Sequence, residues 1–282
     1  MSLYKLAAAA ARRWPSSVAL VSQSEALTLS FEELERRAAA AAGVISRRGL
    51  APGSVLVSDL KNSSSNLVTQ LACSKLGVAY GTAKNEKALA ALQEKLDVGG
   101  VLAESDDSFL REAGTTTLSA AELLDEAAAS DVTGANAAHG FYNSTSPLTN
   151  AEIESLAADA AEHLALTPDD TVCVSVTLSH SFGIASAAAA CLLSGATIAL
   201  PNVDGIVGCG VPSDRAAATL LALQDGATVL VADTHTLKAL PEDAVIPSLR
   251  DGVCKIASGS DFLERSTPFA GTTLWTLGKR DA

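Results

Sequence analysis

Short β-rich runs alternate with helix-period segments along nearly the whole chain, and this alternation limits the folds open to it more than any other feature. Ala19–Val21 and Leu27–Leu29 read as a strand pair. Ser30-Phe31-Glu32-Glu33 is a capping box: the serine hydroxyl takes an orphan helix N–H while Glu33 reaches back to the serine backbone. It predicts a helix with Phe31, Leu34, Ala38, Ala41 and Ile45 on one face, closed by Gly49 and Pro52. Val55–Val57, Val78–Tyr80 and Gly100–Ala103 predict strands, with helices over Asn66–Leu76, Glu86–Leu96 and Ser119–Ala129. A second capping box, Thr149-Asn150-Ala151-Glu152, heads a helix to about Leu166 with Ile153, Leu156, Ala160 and Leu164 on one stripe. Strands are then expected at Thr171–Val176, Ala196–Leu200, Thr228–Val231 and, last, Gly252–Ala257, with helices at Gly183–Leu193 and Arg215–Gln224. Such an order predicts the α/β class, with layered, largely parallel sheets flanked by helices. The small polar stretch 130–140 is expected to separate a first α/β subdomain (1–130) from a second (141–282).

Composition closes off several functions. The chain has 282 residues, 48% of them apolar, which is ample for a buried core and too apolar for a disordered chain. Much of that share is alanine, and no run is long and apolar enough to predict a spanning helix. The formal charge of −12 argues against nucleic acid as the main partner. Five scattered cysteines without a Cys-x-x-Cys pair point to a reducing compartment, and with His139, His163, His180 and His235 so dispersed no metal site is predicted. From Met1 to Ser24 there is no acidic residue, while Lys5, Arg12 and Arg13 punctuate an Ala/Leu stretch. That pattern is shared by organellar transit peptides and by an ordinary first helix ended at Trp14-Pro15.

Several pieces, in order, carry a family resemblance. Trp14-Pro15, Val18–Val21 and Leu29-Ser30-Phe31-Glu32-Glu33-Leu34 resemble the opening of the adenylate-forming (acyl-CoA synthetase, AMP-binding) family. Gly49-Leu50-Ala51-Pro52-Gly53-Ser54-Val55 is similar to its Gly-x-x-x-Gly-Asp turn, with Ser54 in place of the aspartate. Asn62 through Tyr80, Leu166–Val172, Ser179-His180-Ser181-Phe182-Gly183 and Leu193–Thr197 continue the match, the segment Ser179–Gly183 resembling the family's His-x-x-Gly segment. Leu249–Gly252 with Ser258-Gly259-Ser260 extends it to about residue 262. The resemblance implies enzymes that activate a carboxylate with ATP and pass the acyl group to a thiol. Their chemistry needs a Gly/Ser/Thr-rich phosphate loop with a lysine, a Thr-Glu segment and a mobile carboxy-terminal domain.

This chain departs from that pattern. Where the family has roughly Tyr-Thr-Ser-Gly-Thr-Thr-Gly-x-Pro-Lys-Gly, it reads Phe141-Tyr142-Asn143-Ser144-Thr145-Ser146-Pro147-Leu148-Thr149-Asn150-Ala151. Hydroxyls survive, but the glycines that let a backbone wrap a phosphate are gone, and so is the lysine. Pro147 removes a further backbone donor. The family's later segments have no counterpart before Ala282, so the resemblance implies a truncated, degenerate amino-terminal part.

The expectation is therefore a catalytically inactive acyl-CoA synthetase-like protein with no catalytic residue, cofactor or metal of its own. It serves as an accessory subunit among the protein subunits of a larger assembly, with a mitochondrial respiratory or ATP synthase complex as one host and the cytoplasm as the alternative setting. A cut fold leaves strand edges and apolar faces that partners would cover. The alternatives are an acyl-, CoA- or nucleotide-binding regulatory module and a ligase completed by a second chain. Ser144, Thr145, Ser146 and Thr149 are the vestigial phosphate-loop candidates, though Thr149 equally reads as a plain helix cap. His180, Phe182 and Gly183 are the vestigial pocket, with a structural histidine as the other reading of His180. The glycines 205, 208 and 210 fit no phosphate-loop pattern.

Overall fold

The computed structural model describes residues 1–113, 115–123, 139–143, 146–202 and 212–280. From the amino end come α1 (Leu3–Arg13), β1 (Val18–Ser22), β2 (Leu27–Ser30) and α2 (Phe31–Arg47). Then β3 (Val55–Ser58), α3 (Ser64–Leu76), β4 (Ala79–Thr82), α4 (Glu86–Lys95) and β5 (Val98–Ala103) alternate strictly. β6 (Thr116–Ser119), α5 (Ala120–Leu123), β7 (His139–Asn143), β8 (Ser146–Thr149) and α6 (Asn150–His163) follow. Next are β9 (Thr171–Val174), a π-helical segment (Phe182–Ala189), α7 (Ala190–Ser194), β10 (Thr197–Leu200) and α8 (Pro212–Gln224). β11 (Val229–Asp233), α9 (Thr234–Ala239), β12 (Asp251–Lys255), β13 (Asp261–Phe269) and β14 (Thr272–Gly278) complete the described chain. The expected α/β class with largely parallel sheets is what the structure has.

The chain forms two compact units, one from Met1–Ser16 with Ser30–Ser155 and the other from Ser17–Leu29 with Leu156–Ala282. This differs from the expected split at 130–140, of which 130–138 lie outside the described residues. The reason is pairing: β1 runs parallel to β10, Leu20 opposite Ile198, so the early strands complete a sheet made late in the chain.

The first unit holds a six-stranded sheet in the order β6-β5-β3-β4-β7-β8, parallel except for the final β7/β8 pair. Val55, Val57, Ala79, Leu89, Leu92, Val101 and Tyr142 form a core cluster on it. α3 is buried almost all round, which forces its polar residues to find partners. Asn66 donates to the carbonyls of Leu60 (3.1 Å) and Lys61 (3.0 Å), and Gln70 Nε2 donates to Asn66 Oδ1 at 2.8 Å. α1 packs against α2 and α3 through Leu3, Leu6, Ala7 and Ala10, all buried. Lys75 Nζ donates to Tyr4 Oη at 2.7 Å across the same contact. The Ser30 capping box forms as expected, Glu33 N–H donating to Ser30 Oγ at 3.2 Å and Ser30 N–H to Glu33 Oε2 at 2.8 Å.

The second unit holds an eight-stranded sheet in the order β13-β14-β12-β11-β9-β10-β1-β2. From β14 to β1 it is parallel throughout. Asp170 ties together the amino-terminal ends of the neighbouring strands β9, β11 and β12. It accepts from the Thr228 hydroxyl (2.8 Å), the Thr167 backbone (2.8 Å) and the Arg250 guanidinium (2.6 and 2.7 Å). Burial alone would raise the Asp170 pKa, but Arg250, Thr167 and Thr228 outweigh it and hold the carboxyl at about 2.

Two sequence expectations need correction. Gly252–Ala257 is not the last strand: β13 and β14 follow, joined by Ala270 and Gly271, both at positive φ. The expected α-helix from Gly183 begins instead with eight π-helical residues and becomes α only at Ala190.

Candidate functional site

The segment expected to hold a phosphate loop is a hairpin. β7 and β8 are antiparallel, with Phe141 opposite Leu148, Tyr142 opposite Pro147 and Asn143 opposite Ser146. That register leaves two residues, Ser144 and Thr145, between the strands, and both lie outside the described residues. Ser146 is exposed in β8. Thr149 caps α6: its hydroxyl receives the Glu152 N–H at 3.1 Å and donates to Glu152 Oε2 at 2.7 Å, and its own N–H donates to the same oxygen. The carboxylate of Glu152 thus occupies the helix terminus that an anion would need. The loop candidates are not brought together into a donor cradle by the residues described.

The pocket candidates meet a different arrangement. β12, β11 and β9 are neighbours in a parallel sheet, so their carboxyl ends open on one side, the place where open α/β sheets bind ligands. There Val176, Thr177, His180, Phe182, Arg215, Asp233, Thr234, His235, Lys255, Ile256 and Ala257 line a cleft of about 260 Å³. His180 and Phe182 belong to it. Gly183 does not line it; a Cβ at that position would lie 2.1 Å from the Thr177 carbonyl oxygen. Its smallness lets the π-helical segment start hard against the turn after β9.

His180 is held by its own turn. The Phe182 N–H donates to His180 Nδ1 at 3.2 Å, so Nδ1 is the bare nitrogen and the neutral ring carries its proton on Nε2. Burial and, secondarily, the Lys255 charge lower the His180 pKa. Lys255, the last residue of β12, donates to the Gly259 carbonyl at 2.8 Å and sits 5.3 Å from the Phe182 ring centroid. Burial lowers its pKa as well. Arg215 is 3% exposed, and its Nη2 reaches both oxygens of Asp233 at 3.0 and 2.9 Å. The same aspartate caps α9, Oδ1 accepting from the Thr236 N–H (2.8 Å) and hydroxyl (2.9 Å). Among the described residues, the buried Arg215 Nε finds no acceptor.

Arg215, Asp233, His235 and Lys255 were missed by the sequence reading. One signal was present: Lys255 follows Val253-Cys254 at the end of a β-run, and Arg215 opens an alanine-rich helix. Nothing in the sequence places the two side by side. Among the described residues no cluster has the make-up of a metal site, and Cys73, Cys173, Cys191 and Cys254 are buried and unpaired. No described helix is long and apolar enough to cross a membrane.

Residues 7–136 match the family model described as AMP-binding enzyme. No curated protein matches the sequence. Among solved structures, the nonribosomal peptide synthetase FmoA3 is similar with a TM-score of 0.75 and 21% identity, over 99% of this chain and 31% of that one. VinN in complex with L-aspartate gives 0.76 and 18%, over 92% of this chain and 70% of VinN. The o-succinylbenzoate CoA synthetase MenE of Bacillus subtilis gives 0.74 and 21%, over 90% and 54%. The chain therefore spans under a third of the synthetase and about half of MenE. Residues 7–136 carry the AMP-binding enzyme match, and the described chain has the fold of the amino-terminal subdomains of the adenylate-forming enzymes.

Proposed function

We propose that this chain is a non-catalytic relative of the acyl-CoA synthetases that acts through what it binds. The observation that carries this is the β7/β8 hairpin. Its two-residue connection, in a segment Phe141–Ala151 without a glycine or lysine, is too short to wrap a triphosphate with backbone donors. The direct test is ATP–pyrophosphate exchange with a panel of carboxylates. No exchange is expected, alone or with a native partner present; exchange above background overturns the reading and favours a ligase completed by a second chain.

In its leading form the protein is an accessory subunit of a larger assembly. Support comes from the strand edges at β6, β8 and β13 and from the exposed side chains of Leu221 and Val245. The native size of the endogenous protein after gentle solubilisation, with mass spectrometry of what co-migrates, tests this form. Migration near 28.6 kDa would sink it. A mitochondrial setting belongs to the same proposal, with residues 1–13 kept after import because α1 contributes Leu3, Leu6, Ala7 and Ala10 to the core. Imaging of a carboxy-terminal fusion tests it against the cytoplasm. The lined cleft favours a second reading, a regulatory module that holds a small acyl, CoA or nucleotide ligand without transforming it.

A further inference from the structure

We infer that two copies of this chain pair through the face that carries Val245 and the hollow beside it, the valine of each copy entering the hollow of the other. The inference goes beyond the accessory-subunit reading and does not rest on it, since such a pair forms with or without a host.

Hole and knob are neighbours on the second unit. A hollow of about 680 Å³ opens between the carboxyl end of α9 and the β13/β14 turn. Leu237, Leu240, Phe269 and Ala270 give it an apolar floor, and all four belong to the core cluster beneath. The Ala270-Gly271 turn forms one wall. The other is the turn in which the Ala244 N–H donates to the Pro241 carbonyl at 3.2 Å. Val245 follows directly. Its neighbours Ala244 and Ile246 pack into that same cluster and hold it at the rim, yet its own side chain is 80% exposed. A lone apolar residue on a surface is ordinary; one anchored beside an open apolar hollow marks an interaction face.

Charge selects the occupant. Lys238 and Glu242 are the two charged residues lining the hollow, and neither has a hydrogen bond or ion pair among the described residues. A small anion would meet the carboxylate, a small cation would meet the ammonium, and a plain hydrocarbon would leave both without a partner. A surface that offers the same two charges in reversed order satisfies both. A two-fold axis supplies that surface: where Lys238 meets the partner's Glu242, Glu242 meets the partner's Lys238. Val245 obeys the same reciprocity. The hollow, with room for roughly twenty waters, takes a valine together with part of the turn that carries it. A contact of this extent suits a reversible dimer rather than an obligate one.

The test is sedimentation velocity of the purified full chain from low to high micromolar concentration. A reversible shift from 28.6 kDa towards twice that mass is expected. Val245→Asp, with circular dichroism matching the parent, should weaken the pairing at least about tenfold. Lys238→Glu alone and Glu242→Lys alone should each weaken it as well, because each sets like charges opposite one another. Mixing those two variants should restore a dimer with one of each, which a merely structural effect of either substitution would not do. A single species of 28.6 kDa throughout, full pairing in Val245→Asp, or a mixture no more associated than its parts would overturn the inference. Growth beyond the dimer would overturn it too, since it requires a head-to-tail contact. Co-migration of the endogenous protein with other subunits bears on the accessory reading alone.

Discussion

Gly183 shows how little space separates the turn after β9 from the helix beside it. An added methyl would sit 2.1 Å from the Thr177 oxygen, and because that oxygen is backbone, it cannot rotate away. Gly183→Ala should cost about 1–3 kcal/mol in urea unfolding and shift the cleft-lining turn that carries His180. A variant as stable as the parent would mean that the turn adapts freely. His180 itself titrates against the fold. Its pKa in the folded chain lies below the ordinary 6.5, so above 6.5 both states are neutral and it leaves stability unchanged. As pH falls below 6.5 the unfolded chain protonates first, and stability drops until the folded-state value is passed. His180→Gln should lose less stability between pH 7.5 and 5 than the parent does; equal losses would refute the assignment. Asp170 works at lower pH and in the opposite sense. Its carboxyl, normally at 3.8 and held here at about 2, supports the fold above 3.8, and that support disappears as pH falls from 3.8 to about 2. Arg250→Met should narrow that window and cost about 2 kcal/mol at neutral pH, Arg250 being partly open to solvent.

At the scale of elements, the amino-terminal helix is part of a core rather than an appendage. Deleting residues 2–13 removes two buried leucines, worth about 2 kcal/mol each, together with the Tyr4 contacts to Ser74 and Lys75. The shortened chain is expected to melt well below the parent in circular dichroism; an unchanged melting temperature would show α1 to be dispensable. Elements governed by local chemistry were legible in the sequence. Ser30 with Glu33 and Thr149 with Glu152 satisfy their helix ends within four residues, so pattern and structure coincide. β13 was not legible, because Glu264, Arg265 and Ser266 are all exposed and register shifts interrupt its pairing, which leaves no period-two alternation to read. The Ala270-Gly271 turn was its one available signal. The π-helical segment was hidden for a different reason: its alanines permit either helix, and the close approach at Gly183 is a tertiary contact. The candidate site was half legible. His180 and Phe182 came from one short motif, whereas Arg215, Asp233 and Lys255 meet only once two neighbouring strands and a helix are in place.

For the whole molecule, the two units are not consecutive stretches of chain. Residues 17–29 belong to the second unit although residues before and after them belong to the first. Residues 156–282 expressed alone lack β1 and β2, which leaves β10 as an unprotected edge. That fragment is expected to aggregate, and a peptide of residues 17–29 should restore a soluble species in gel filtration. A soluble, folded fragment without the peptide would show that β1 is not needed to complete the sheet.

The pairing of Leu20 with Ile198 also sets a clock during synthesis. At about 5–20 residues per second a ribosome needs roughly 10–35 s to deliver β10 after β1 has emerged. Throughout that interval the nascent chain displays an apolar Val18–Val21 segment with β2 on one side and its other lasting neighbour, β10, not yet made. A factor that shelters nascent chains has that span to act, and codons that slow translation between residues 30 and 190 would lengthen the exposure.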